Sequence, residues 1–147
     1  MKLLLDTSIW VEHLRHGALD AVVPSLRGRF ILCLDIVAAS ELMAGCRTKK
    51  ERRVVTRLCE PHGRTGRLLC PTLGDFERAA FALSKLREKG RSPSGSKSAL
   101  LDALIAQLAA RDGALLITNN VSDFVALSTV LPVHVEAFEA FKQRVLS

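Results

Sequence analysis

Leu3-Leu4-Leu5-Asp6-Thr7-Ser8 sets three bulky apolar residues directly before an acid and two hydroxyl residues. Three leucines are too few for a helix. An unbroken apolar run with a polar boundary reads as a strand covered on both faces, the kind found in parallel sheets wound with helices. In such sheets ligands gather beyond the carboxyl ends of the strands, and Asp6 stands at that point.

The rest of the chain repeats the alternation of short apolar runs with longer periodic stretches, which is the mark of an α/β domain. Further strands are predicted at Phe30 to Leu34, Leu68 to Cys70 and Ala114 to Thr118, with a weak edge strand at Val133 to Val135 after Pro132. Helices are predicted at Ile9 to His16 and Leu19 to Leu26, separated by Gly17, and at Val37 to Gly45. A basic helix follows, with Val54, Val55 and Leu58 as its inner face. Phe76, Ala79, Ala80, Leu83 and Leu86 recur at helical spacing up to Gly90, and 90–97 reads as the one flexible loop. Leu101, Leu104, Ile105 and Leu108 mark the buried face of a later helix that Ser98 could cap and Gly113 could end. No repeat or linker divides residues 1–147. The expected architecture is one α/β domain with a mostly parallel sheet of four or five strands flanked by helices.

The 147 residues are 48% apolar, enough for a real core, yet no stretch reaches the roughly 20 apolar residues of a membrane span. Met1-Lys2-Leu3 runs into Asp6 without a signal-peptide core, so a cytoplasmic, membrane-free protein is expected. Cys33, Cys46, Cys59 and Cys70 are 13, 13 and 11 residues apart, which fits neither a zinc site nor a redox pair; they read as small buried apolar groups. The net charge of +6 is concentrated. Eight basic residues fall between Arg47 and Arg67 against Glu51 and Glu60, and Lys85, Arg87, Lys89, Arg91 and Lys97 stand against Glu88. Basic surfaces of this kind attract polyanions, although solvated helix faces have the same composition.

Four acids map to one edge of this sheet. Asp6 follows the first strand, Glu41 lies one turn into the helix after the second, Asp102 falls in the first turn of the helix entering the fourth, and Asp123 follows the fourth. Each has a plain structural reading. Asp6 serves equally as a helix cap, Asp102 suits the positive end of a helix, and Asn120-Val121-Ser122-Asp123 could be an ordinary turn. Glu41 is different, because it interrupts a segment apolar enough to be largely buried, with no basic residue from Ile31 to Cys46. A buried carboxylate needs a cation or donors from elsewhere. Oxygen ligands without His or Cys suit Mg²⁺ or Mn²⁺. With such cations an acidic cluster hydrolyses phosphodiesters, the metal activating water and neutralising charge on the phosphate.

Leu-Leu-Leu-Asp6-Thr7-Ser8, Ala39-Ser40-Glu41-Leu42-Met43-Ala44-Gly45, Leu101-Asp102-Ala103-Leu104-Ile105-Ala106 and Leu116-Ile117-Thr118-Asn119-Asn120-Val121-Ser122-Asp123-Phe124 together resemble the PIN-domain family, most closely its VapC-like toxins. The resemblance runs in order from Lys2 to about Val135. It implies a Mg²⁺-dependent endoribonuclease (Mn²⁺ as the alternative), the toxin of a type II toxin-antitoxin pair, with Asp6, Glu41 and Asp102 as catalytic metal ligands. The fourth acidic position corresponds to Asp123 or to Asn120; Asp123 is taken as the ligand and Asn120 as support. Ser8 resembles the hydroxyl that assists the first aspartate, and Thr118 the one that orients the acidic centre. Charge and position before Asp102 nominate Arg87, Lys89, Arg91 and Lys97 for the RNA backbone. Trp10 reads as core, and His13 and His16 as exposed surface residues. The resemblance also implies a cognate protein antitoxin and a homodimer. A non-catalytic RNA- or protein-binding module and an RNA-maturation nuclease are the rival readings.

Overall fold

The computed structural model describes residues 1–91 and 96–147, with residues 96 and 97 described by backbone alone. Its elements run β1 (Lys2–Leu5), α1 (Thr7–His16), α2 (Val22–Leu26), β2 (Ile31–Asp35), α3 (Ile36–Ala44), α4 (Lys49–Arg64), β3 (Leu68–Leu69), α5 (Leu73–Glu88), α6 (Ser96–Asp112), β4 (Leu115–Thr118), α7 (Val121–Ser128), β5 (His134–Ala137) and α8 (Phe138–Leu146). The five strands form one sheet in the order β3-β2-β1-β4-β5, and every pairing is parallel. The expected α/β architecture is what the chain adopts.

Alternation along the strands splits the core in two, because successive side chains leave a strand on opposite faces. Leu4, Cys33 and Leu116 pack on one face with α5, α6 and α7, while Leu3, Leu5, Leu34 and Ile117 pack on the other with α1, α3 and α8. Leu3, Leu4 and Leu5 are at most 1% exposed, which explains why β1 reads as an unbroken apolar run. Each such leucine contributes roughly 1.5–3 kcal/mol by leaving water.

Several sequence expectations shift. On α4 only Val55 is buried; Val54 is exposed and Leu58 half-covered. The buried stripe of α5 is Asp75, Ala79, Ala82 and Leu86, so Phe76 and Ala80 face outward. The stripe is displaced because its first member is an acid. Asp75 is 1% exposed, closes a capping box with Thr72, and accepts from Gln107 Nε2 at 3.1 Å and Arg111 Nη1 at 2.6 Å. Burial raises its pKa, but hydrogen bonds from Thr72, Gln107 and Arg111 outweigh that and hold it below the ordinary value. Arg111 also donates to Cys70 O at 2.9 Å, so α5, α6 and the end of β3 are locked together. Helix α6 starts at Ser96, which puts Ser98 inside it and not at its cap. Gly113 does end α6, with φ of +63°, a left-handed conformation that costs a residue with a Cβ roughly 1–2 kcal/mol. Of the proposed flexible loop, residues 92–95 lie outside the described residues, and Ser96 and Lys97 belong to α6.

The candidate acidic site

Asp6 ends β1 and caps α1. Its Oδ1 accepts from Ser8 N at 2.8 Å, from Ile9 N at 3.3 Å and from Ser8 Oγ, and its Oδ2 accepts from Thr118 Oγ1 at the end of β4. The cap and site readings of Asp6 therefore coincide: capping fixes the carboxyl at the sheet edge. At 4% exposure it is buried and fully partnered. Thr118 Oγ1 in turn accepts from Asn120 N at 2.8 Å, and Asn120 Nδ2 donates to Asp123 Oδ2 at 2.9 Å in the first turn of α7. Thr7 Oγ1, next to Asp6, donates to Glu41 Oε1 at 2.8 Å. Hydroxyls and one amide thus link Asp6 to Thr118 and Ser8, Asp123 to Asn120, and Glu41 to the start of α1.

Asp102 completes the group. Its carboxyl is pushed up to about 7 by burial first, then by the charges of Asp6, Glu41 and Asp123. Asp6, Glu41 and Asp123 thus lie near enough for their charges to act on Asp102. Asp102 lies in the second turn of α6, not the first, because the helix begins at Ser96. Its acidity is therefore not a helix-terminus effect. Glu41 departs from its expected burial and is exposed. Ser40, Met43 and Ala44 are exposed as well while Leu42 stays in the core, so Glu41 lies on the outward face of α3, where Thr7 meets it.

The sequence reading missed Asp35. It ends β2, caps α3 through Oδ1 to Ala38 N at 2.7 Å, and is fully buried with Oδ2 lacking a hydrogen-bond partner among the described residues. Burial, and secondarily Glu41, push it up to about 7 against the pull of backbone N–H groups. The signal was an acid between Leu34 and Ile36 at a strand-to-helix junction, the same position that Asp6 holds after β1.

Among the described residues no group of three or more His, Cys, Asp or Glu side chains stands ready to hold a metal ion. Asp6 has both oxygens engaged by protein donors, and four carboxylates without a cation repel. The donor set is nevertheless all oxygen and carries surplus negative charge, which fits a hard divalent cation better than zinc. Asp6, Glu41, Asp102 and Asp123 are the residues that could hold one.

Of the nominated RNA contacts, Arg87, Lys89 and Arg91 are exposed at and beyond the end of α5, while the side chain of Lys97 lies outside the described residues. Trp10 is 1% exposed and meets the rings of His13 and His62 edge-on, which makes it core. His16 is exposed, but His13 is half-buried, its Nδ1 accepting from Leu19 N at 3.3 Å beside Asp20. Cys33 is buried, Cys46 and Cys59 half-buried, and Cys70 exposed, all as free thiols; the expectation of four buried groups fails at Cys70. Among the described residues no helix is long and apolar enough to cross a membrane.

A groove of about 470 Å³ opens beside Glu41 between α1, α3 and α4, floored by Val11, Leu14, Leu42, Val54 and Val55 and rimmed by Arg15, Lys50 and Glu51.

The family model of the PIN domain matches residues 3–127. No curated protein matches in sequence. Solved structures with a similar fold include VapBC-1 from nontypeable Haemophilus influenzae, 22% identical with a TM-score of 0.71, covering 95% of this chain and 99% of that one. DNA-bound VapBC from Salmonella typhimurium is 20% identical with a TM-score of 0.66, covering 94% and 98%. VapBC-5 from Mycobacterium tuberculosis, a member of the VapBC family of toxin-antitoxin systems, is 21% identical with a TM-score of 0.62, covering 92% and 98%.

Proposed function

The chain belongs to the PIN-domain family, and from that premise we propose that it is a metal-dependent endoribonuclease acting as the toxin of a toxin-antitoxin pair. The observation that carries the proposal is Asp102, whose carboxyl is driven to about 7 by burial and by three neighbouring acids. A fold has no use for four mutually repelling carboxylates at one sheet edge, whereas a divalent cation turns the repulsion into binding.

In this reading Asp6, Glu41, Asp102 and Asp123 hold Mg²⁺ or Mn²⁺, which when bound activates water and neutralises charge on the scissile phosphate. Ser8 and Thr118 fix the rotamer of Asp6, and Asn120 aims Asp123. Thr7 restrains Glu41, the exposed member, at the rim. Arg87, Lys89, Arg91 and Lys97 are assigned to the RNA backbone, which an acidic centre would otherwise repel.

A protein antitoxin is the proposed partner, supported by the VapBC complexes among the similar structures. The apolar groove beside Glu41 is where a partner segment would reach both core-like surface and one of the four acids. A homodimer would cover Leu73, Phe76 and Phe81 on α5, exposed at 75%, 45% and 62%. The free thiols agree with a reducing, cytoplasmic setting.

The test is cleavage of total and structured RNA by the purified protein in Mg²⁺ or Mn²⁺ against EDTA, with Asp6→Asn and Asp102→Asn beside wild type. Metal-dependent cleavage absent from both variants is expected. Equal background cleavage in all samples from folded protein would remove the nuclease and leave a binding module.

A further inference from the structure

We infer that the outward face of α4 is a phosphate-binding rail for single-stranded RNA, extending the acidic site toward the strand that it cuts. This rests on the nuclease reading above. Helix α4 meets the core on one side, through buried Val55 and half-buried Leu58 and Cys59, so the opposite side is free to face a partner. On the side opposite Val55, Lys49, Arg53 and Arg57 recur every fourth residue, all exposed. Successive members are separated by about 6 Å along the axis, at 1.5 Å per residue. Lys49, Arg52, Arg53 and Thr56 also line a shallow depression, so the basic surface is concave in part.

The acids in this segment offset that charge only toward the two ends of the helix, where Glu51 faces the charges of Arg47 and Arg52. Glu51 is spent on the capping box, accepting from Arg47 N at 2.5 Å and Thr48 N at 3.2 Å. Glu60 pairs with Arg64 at 3.8 Å. Lys49, Lys50, Arg52, Arg53 and Arg57 form no ion pair among the described residues.

Folding does not favour this arrangement. Like charges four apart on a helix destabilise it by roughly 0.2–0.5 kcal/mol per pair, which applies to Lys49 with Arg53 and to Arg53 with Arg57. Lys49 and Lys50 sit in the first turn, where the helix dipole favours acids. A solvated helix could mix its signs and avoid both penalties. A polyanion removes both at once. Lys50, next to Lys49 in the first turn of α4, shares a groove with Arg15 and with Glu41, the exposed member of the acidic group.

The test is fluorescence anisotropy of a labelled single-stranded RNA with wild type, Lys49→Ala/Arg53→Ala/Arg57→Ala, and Arg87→Ala/Lys89→Ala/Arg91→Ala, in EDTA across 50–300 mM KCl. Three lost phosphate contacts should lower the salt slope by about 2, at about 0.7 per contact, and weaken binding about 100-fold at 0.1 M salt. The α4 variant should melt no lower than wild type, because only self-repulsion has been removed. A folded α4 variant with wild-type slope and affinity overturns the rail, and so does loss of binding in the α5 variant alone. Cleavage in Mg²⁺ is scored separately: a wild type that binds through α4 but never cuts overturns the nuclease and leaves the rail standing, while an α4 variant that cuts with unchanged KM and binds normally does the reverse.

Discussion

Replacing Asp102 with Asn should stabilise the metal-free protein while abolishing cleavage. The Asp102 carboxyl rises from an ordinary 3.8 to about 7. Three pH units correspond to about 4 kcal/mol. Asp102 is partly open to water, and screening of the three neighbouring charges brings this to about 2 kcal/mol. The folded state binds the proton more tightly than the unfolded chain does. The group therefore leaves stability untouched below pH 4, costs progressively more as pH rises from 4 to 7, and exerts its full penalty above 7. Asp102→Asn keeps the size and discards the charge. Thermal melts in EDTA should show it level with wild type near pH 4 and higher by about 4–8 °C at pH 8, at 2–4 °C per kcal/mol. Saturating Mg²⁺ should reverse the order, since a ligand at 100 times its Kd adds about 2.7 kcal/mol to the form that binds it. A variant that melts below wild type at pH 8 in EDTA, or a difference independent of pH, would refute the claim that the acids repel.

Two further outcomes follow from named contacts. Thr118→Val leaves Asp6 Oδ2 and Asn120 N without their partner, which should cost about 1–3 kcal/mol in urea titrations and raise the Mg²⁺ concentration for half-maximal cleavage, with Thr118→Ser restoring both. Asp35→Asn removes a buried carboxyl raised to about 7, so between pH 4 and pH 8 its stability should gain about 4 kcal/mol relative to wild type; parallel pH profiles for the two proteins would show that Asp35 does not titrate there.

The parts of the fold visible in the sequence are those governed by local rules. The runs Leu3 to Leu5 and Leu115 to Ile117 announced buried parallel strands, and their neighbours Asp6 and Thr118 then had to emerge at one edge. What stayed hidden depends on long-range partners. The inner face of α5 begins with Asp75, which burial admits only because Arg111 and Gln107 come from α6, so an apolar pattern alone places the stripe one residue too far. Glu41 reads as buried because its neighbours are apolar, but exposure is set by which face of α3 it occupies, which composition does not record. Asp35 escapes a reading that ends the second strand at Leu34 and starts the next helix at Val37. In the fold it is the last residue of β2, opposite Leu69.

The geometry also assigns unequal work to the four acids. Asp6, Glu41 and Asp123 are each held by a hydroxyl or amide donor, so their positions are set by the protein itself. Asp102 makes no hydrogen bond or ion pair among the described residues and has the raised proton affinity. Three anchored carboxylates define where charge accumulates, and the unanchored one reports it. A proton on Asp102 relieves the repulsion among the acids, and the proposed cation would compete with it for the same charge. Helix α6 is the element that must keep Asp102 there against that repulsion. Its means are buried Ala99 before the acid and, after it, the buried faces of Leu104, Ile105 and Leu108 with the Arg111 lock to α5 and β3.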